Sequence, residues 1–229
     1  RTLPRMDFSK GIPAGARTLV VVPSMLSDTA TIDELAEALE VRFLANRDAQ
    51  LHFALLTDFL DAAQATLPGD AALLEHAAQH IVRLNQRYAP ESGDRFFLLH
   101  RPRLWSAGER AWIGHERKRG KLAALNRLLR GGAADADFSA LIGTTTLLAQ
   151  VRYVITLDTD TRLPRDAARE FVATLAHPLN RARIDPALGR VTRGYGILQP
   201  SVGSSMSGHR ITRYARLFGS EPGIDPYTR

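Results

Sequence analysis

Four apolar runs recur along the chain, each ending in polar or turn-forming residues: TLVVVPSM (18–25), LHFALLTDF (51–59), RFFLLHRP (95–102) and VRYVITL (151–157). Helical patterns fill the intervals. TATIDELAEALEVRFLAN (29–46) has helical spacing, with Thr31 and Glu34 placed as a capping box. A second helix is expected over 70–88. KLAALNRLLRGG (121–132) sets Leu122, Leu125, Leu128 and Leu129 on one face and closes on glycines. Pro164 suits the first turn of a helix after the fourth run. Strand alternating with helix predicts an α/β fold, a mostly parallel mixed sheet with helices on both faces. A later strand is expected over GRVTRGYGILQPSV (189–202) and a last helix over 207–218, while SAGERAWIGHERKRG and PLNRARIDPALGRV read as surface loops.

The 229 residues, 45% hydrophobic and 24% charged, are enough for one sizeable core. There are no cysteines, which excludes disulfides and cysteine-ligated metals. No apolar run approaches the roughly 18 residues of a membrane span, so this segment is expected to be soluble and to make no membrane contact itself. Its ends, Arg1 without a methionine and Arg229 in GIDPYTR, lead us to expect a piece of a longer protein. The net charge of +6 favours anionic partners: nucleic acid, anionic lipid or a phosphate-bearing small molecule. The one basic cluster, ERKRGK (116–121), reads as a solvated loop and lacks the interleaved aromatics of single-strand binders, so nucleic acid is not the expected partner. Among the seven scattered histidines no metal centre is expected; His100 reads as structural, and Trp105 and Trp112 as packing residues.

In open α/β sheets, ligands gather beyond the carboxyl ends of the strands. That rule lines up Pro23, Ser24, Thr57, Asp58, His100 and the Asp158-Thr159-Asp160 triplet along one rim. Two carboxylates one residue apart repel each other unless a cation neutralises them. Hard oxygens suit Mg²⁺ or Mn²⁺, and magnesium completes its shell with water and substrate phosphates. The competing reading is a helix cap at Asp158 and a turn before Pro164. A haloacid-dehalogenase-type nucleophile fits poorly, because the pair is mid-chain and Arg162 stands where that motif has Thr or Val. A sugar-nucleotide nucleotidyltransferase needs a Gly-rich basic loop after the first strand, and VVVPSMLSDT has neither glycine nor base.

Taken together, LPRMDFSKGIP, TLVVVPSML, EVRFLANRD, LHFALLTDF, ERKRGKLAALNRLLRG, YVITLDTDTRLPRDAARE, AHPLNR, GYGILQPSVG and FGSEPGIDPYTR resemble the GT-A glycosyltransferase domain of bacterial cyclic β-1,2-glucan synthases. KLAALN (121–126) and ILQP (197–200) also resemble segments of cellulose and hyaluronan synthases. The resemblance implies a GT-A fold, with a nucleotide-binding half over 17–132 and the metal site and start of the acceptor half over 133–229. It implies an inverting glucosyltransferase that uses UDP-glucose to extend a β-1,2-glucan, as part of a synthase on the cytoplasmic face of the bacterial inner membrane. The remaining domains of that synthase would be its partners. By the same resemblance Asp158 and Asp160 would hold Mg²⁺ or Mn²⁺, while Pro23, Ser24, Asp58, Lys121 and Asp158 would bind the nucleotide sugar. Gln199 would lie on the acceptor side, Asn126 would be a structural hydrogen bonder, and the general base is expected beyond residue 229.

Overall fold

The computed structural model describes residues 3–88 and 93–200. The chain divides into two compact units, Arg1–Asn180 and Arg181–Arg229. The helix expected over 207–218 lies outside the described residues.

In the first unit the four apolar runs become β1 (Thr18–Leu26), β2 (Leu51–Phe59), β3 (Phe96–His100) and, after two short antiparallel strands β4 (Leu104–Ser106) and β5 (Ala111–Ile113), β7 (Tyr153–Thr156). A fifth member, β6 (Ala140–Ile142), has no sequence signal, since three residues are too few to show a period. The sheet order is β6-β3-β2-β1-β7, with β1, β2, β3 and β7 parallel and β6 antiparallel at the edge. This is the mixed, mostly parallel sheet that the alternation predicts.

Both faces of the sheet are covered, which is why β2 and β3 are buried along their whole length. Side chains of β1 alternate between two cores. Val20 and Val22 pack with Ile32, Leu35, Leu39 and Phe43 of α1 (Thr29–Ala45), Ala77, Ile81 and Leu84 of α2 (Asp70–Tyr88), and Ala168 and Val172 of a later helix, Ala167–Ala176. Leu19 and Val21 pack on the other side with Ala124 and Leu125 of α3 (Arg117–Leu129). The Ala167–Ala176 helix is α4.

Several boundaries differ from the sequence reading for local reasons. Asp28, not Thr31, caps α1; its carboxylate accepts from the Thr31 backbone N–H at 2.8 Å. The segment 117–120 is the first turn of α3 rather than a loop. Pro164 precedes the α4 cap, Asp166, and its carbonyl accepts from the Ala167 N–H at 3.2 Å. The loop 106–120 contains the β4–β5 hairpin, on which Trp105 is 53% exposed and meets Trp112 edge-on at 5.9 Å, so Trp105 is not a core packing residue. Asn126 is exposed on α3 rather than bonded beneath the rim.

Within the second unit, β8 (Arg183–Asp185) and β9 (Arg190–Arg193) form a two-stranded antiparallel hairpin. Asp185 fixes its turn, its carboxylate accepting from the Ala187 N–H at 2.8 Å. The strand expected over 189–202 therefore ends at Arg193, where Gly194 takes a positive φ of 70°. Among the described residues no helix is long and apolar enough to cross a membrane.

Candidate functional site

The direction of sheet growth reverses at β1: β2 and β3 are added on one side and β7 on the other. Such a switch point leaves a crevice past the strand ends. Here β7 pairs with β1 only as far as Val21, whose carbonyl accepts from Leu157 N–H at 3.0 Å. The backbone of Pro23 faces the same side as Val21, beyond the last β7 pair, so its missing N–H removes no ladder bond. A cleft of about 520 Å³ opens at this point. Pro23, Ser24, Asp58, Arg117, Lys118, Lys121 and Thr159 are among its lining residues. Four of the expected nucleotide-site residues thus share one cleft, and the Asp158–Asp160 triplet reaches it through Thr159.

Asp58 stands at the end of β2, and its side chain is only 3% exposed. Arg101, just past β3, grips it with two bonds, Nε to Oδ1 at 2.9 Å and a terminal nitrogen to Oδ2 at 3.0 Å. Lys121 adds its ammonium at 3.1 Å from Oδ2 and donates to the Ser24 carbonyl at 2.6 Å. Burial pushes the Lys121 ammonium below its ordinary pKa, and Asp58 opposes that shift. Gly114 lies against this carboxylate; a Cβ there would fall 2.2 Å from Oδ2. Arg101 also donates to the His115 carbonyl at 3.1 Å, tying the α3 approach to β3. Sequence reasoning missed Arg101; an arginine directly after an apolar strand was the available signal. The Ser24 hydroxyl is buried at the cleft without a hydrogen-bond partner among the described residues.

His100 is structural, as expected. Thr57 Oγ1 lies 2.8 Å from its Nδ1, and Phe59 meets the ring edge-on at 4.2 Å. Burial lowers its pKa to about 4, against the pull of Asp58 and Asp70, so the ring is neutral.

Asp158 and Asp160 sit in the loop after β7, both exposed. Their loop is held from beneath by α1. Arg42, buried, donates to the carbonyls of Thr159 at 2.7 Å and Thr161 at 2.8 Å, and to that of Asp158 at 3.2 Å. Asn46 donates to the Pro164 carbonyl at 3.0 Å and accepts from the Ala168 N–H at 3.0 Å, fastening the start of α4. With its carbonyls so occupied, the loop presents two carboxylates outward. Lys118 pairs with Asp158 Oδ1, an ammonium standing where a metal ion would neutralise the charge. Two exposed hard-oxygen ligands at a cleft suit Mg²⁺ or Mn²⁺, which take one or two carboxylates. Of the other two bases of the cluster, Arg117 stays at the cleft, paired with Asp61 and Glu109, while Arg119 pairs with Glu116.

The first turn of α3 carries Arg117, Lys118 and Arg119, then Lys121, and no acid. Positive side chains oppose the positive end of a helix dipole, whereas an anion beside that end is favoured. The cleft therefore offers positive charge to an anion. Gln199 belongs to the second unit, where it is exposed beyond the hairpin.

No protein-family model matches the chain. Over 222 residues, 96% of its length, it is 46% identical to the cyclic beta-(1,2)-glucan synthase NdvB of Rhizobium meliloti. It spans 8% of that protein. The chain is therefore a relative of the cyclic β-1,2-glucan synthases, corresponding to one small part of such a protein.

Proposed function

We propose that the chain is the donor-binding part of a glucosyltransferase of GT-A type, which uses UDP-glucose and a divalent metal to extend a β-1,2-glucan with inversion. It would work on the cytoplasmic side of the inner membrane, beside the other domains of a full synthase. One observation carries this reading: the Asp158–Asp160 loop and the acid-free start of α3 converge on a single cleft at the switch point of the sheet. The kinship with a glucan synthase supplies the reaction class.

In this reading the uridine occupies the cleft between Pro23–Ser24 and Asp58. Asp58 Oδ1 accepts one bond from Arg101, which leaves a lone pair for a ring N–H. The Ser24 hydroxyl, unpartnered in the cleft wall, gains a partner from the nucleotide. Asp158 and Asp160 hold the metal, which when bound neutralises charge on the departing diphosphate. Lys118, released from Asp158, turns its ammonium to the phosphates, while Lys121 keeps Ser24 and Asp58 in register.

Calorimetric titration with sugar nucleotides in Mn²⁺ tests the base preference. UDP-glucose should bind roughly tenfold or more tightly than ADP-glucose, since adenine lacks a ring N–H to donate to Asp58. Equal affinity would contradict the assignment of Ser24 and Asp58.

A further inference from the structure

On one face of the sheet, α1 and α2 pack side by side. Asp33 of α1 there meets His76 and His80 of α2. The two histidines are four residues apart, one helical turn, so their rings project from the same side of α2. Their centroids lie 4.9 Å apart at 84°. Both present Nε2 to a single oxygen, Asp33 Oδ1, at 2.7 Å for His76 and 2.6 Å for His80. All three ligand atoms lie within 4.8 Å of one another. The sequence reading expected no histidine metal centre; the spacing His-x-x-x-His at 76–80 is the signal that it passed over.

We propose that Asp33, His76 and His80 bind a divalent transition-metal ion of the Zn²⁺ class, which cross-links α1 to α2. Two imidazole nitrogens and one carboxylate oxygen form a ligand set for zinc, with a fourth position left to water. Bonds of about 2.0–2.1 Å in tetrahedral array place ligand atoms roughly 3.3 Å apart. The Asp33 oxygen is closer than that to both rings, so it must withdraw by roughly 0.6–0.7 Å to admit the ion. Its side chain is 55% exposed and has room to turn, while His76 and His80 are more enclosed, at 31% and 22%. The aqueous side of the cluster leaves both an entry path and a place for the water ligand.

This site is chemically distinct from Asp158 and Asp160. Imidazole favours zinc-like ions, whereas bare carboxylates favour Mg²⁺ or Mn²⁺. It is also on the other side of the helix: Thr31 and Leu35 line the cleft, and Asp33, between them in sequence, points away. The ion would therefore act on the cleft only through the position of α1, which carries Arg42 and Asn46 beneath the Asp158–Asp160 loop.

The test uses the 229-residue chain stripped of metal and dialysed against Zn²⁺, with metal content read by mass spectrometry and with Co²⁺ as a visible probe. One Zn²⁺ per chain is expected, with a higher melting temperature and four-coordinate Co²⁺ absorption bands, and equal Mg²⁺ should not displace it. His76→Gln and His80→Gln should each weaken Zn²⁺ binding roughly tenfold or more, as should Asp33→Asn, the most exposed of the three. Circular dichroism checks that each variant is folded. Absence of stoichiometric Zn²⁺ binding, or unchanged binding in a folded His76→Gln/His80→Gln double variant, would overturn the proposal.

Discussion

At the scale of single residues, Asp58 is a carboxylate with a buried setting and three cationic bonds. Burying an acid costs several kcal/mol unless opposite charge and hydrogen bonds compensate, and Arg101 supplies most of both. Removing that arginine leaves Lys121 as the remaining partner among the described residues, itself buried and bonded to Ser24. Arg101→Met is therefore expected to destabilise the fold by about 3 kcal/mol, the scale of breaking a buried pair. A lower urea midpoint with unchanged slope is the readout; a midpoint equal to wild type would show that the Asp58 cluster does not hold this rim together. Asp58 and Lys121 were legible in the sequence because each lies at a recognisable spot, one at a strand end and one in a motif-like helix. Their mutual contact was not, since it depends on Arg101 and Gly114, which arrive from other strands and loops. Lys118 likewise looked like one of three interchangeable bases, and only the fold directs it to Asp158.

At the scale of elements, the long apolar runs declared β1, β2, β3 and β7 because strands buried on both faces need continuous hydrophobicity. The short pieces stayed hidden: β6 joins the sheet through backbone pairing to β3, and β8–β9 is an exposed hairpin set by Asp185 and Gly189. The beginning of α3 was masked by its polarity, as Arg117, Lys118 and Arg119 look loop-like without the fold around them. The strands also carry two buried histidines. Burial lowers His52 on β2 and His100 on β3 each to a pKa of about 4, from an unfolded value near 6.5. Above pH 6.5 both rings are neutral in either state and the strands keep their full stability. Between about pH 6.5 and 4 the unfolded chain takes up protons that the folded one refuses, so stability falls as pH drops. The loss approaches roughly 3 kcal/mol per imidazole near pH 4. Urea midpoints followed from pH 7.5 to 4.5 should decline across this window, and a flat profile down to pH 5 would contradict the burial of these rings.

At the scale of the molecule, a sheet that reverses at β1 makes a crevice lined by Pro23, Ser24, Asp58, Lys118 and Lys121, which the Asp158–Asp160 triplet reaches through Thr159. The α/β class and the place of this crevice follow from the order of strands and helices. The chemistry of the crevice needed side chains from β1, β2, α3 and the loop after β7 to be in place, with Arg42 and Asn46 securing that loop from the far side. In the proposed function, nucleotide and metal bind here together, each depending on the other through Asp158 and Asp160. Calorimetry with UDP, with and without Mn²⁺, on the wild-type chain and Asp160→Asn measures that dependence directly. Tight binding is expected only with Mn²⁺ in the wild type, with loss of that metal effect in Asp160→Asn. Equal UDP binding with and without Mn²⁺, or an undiminished Mn²⁺ effect in the variant, would contradict it.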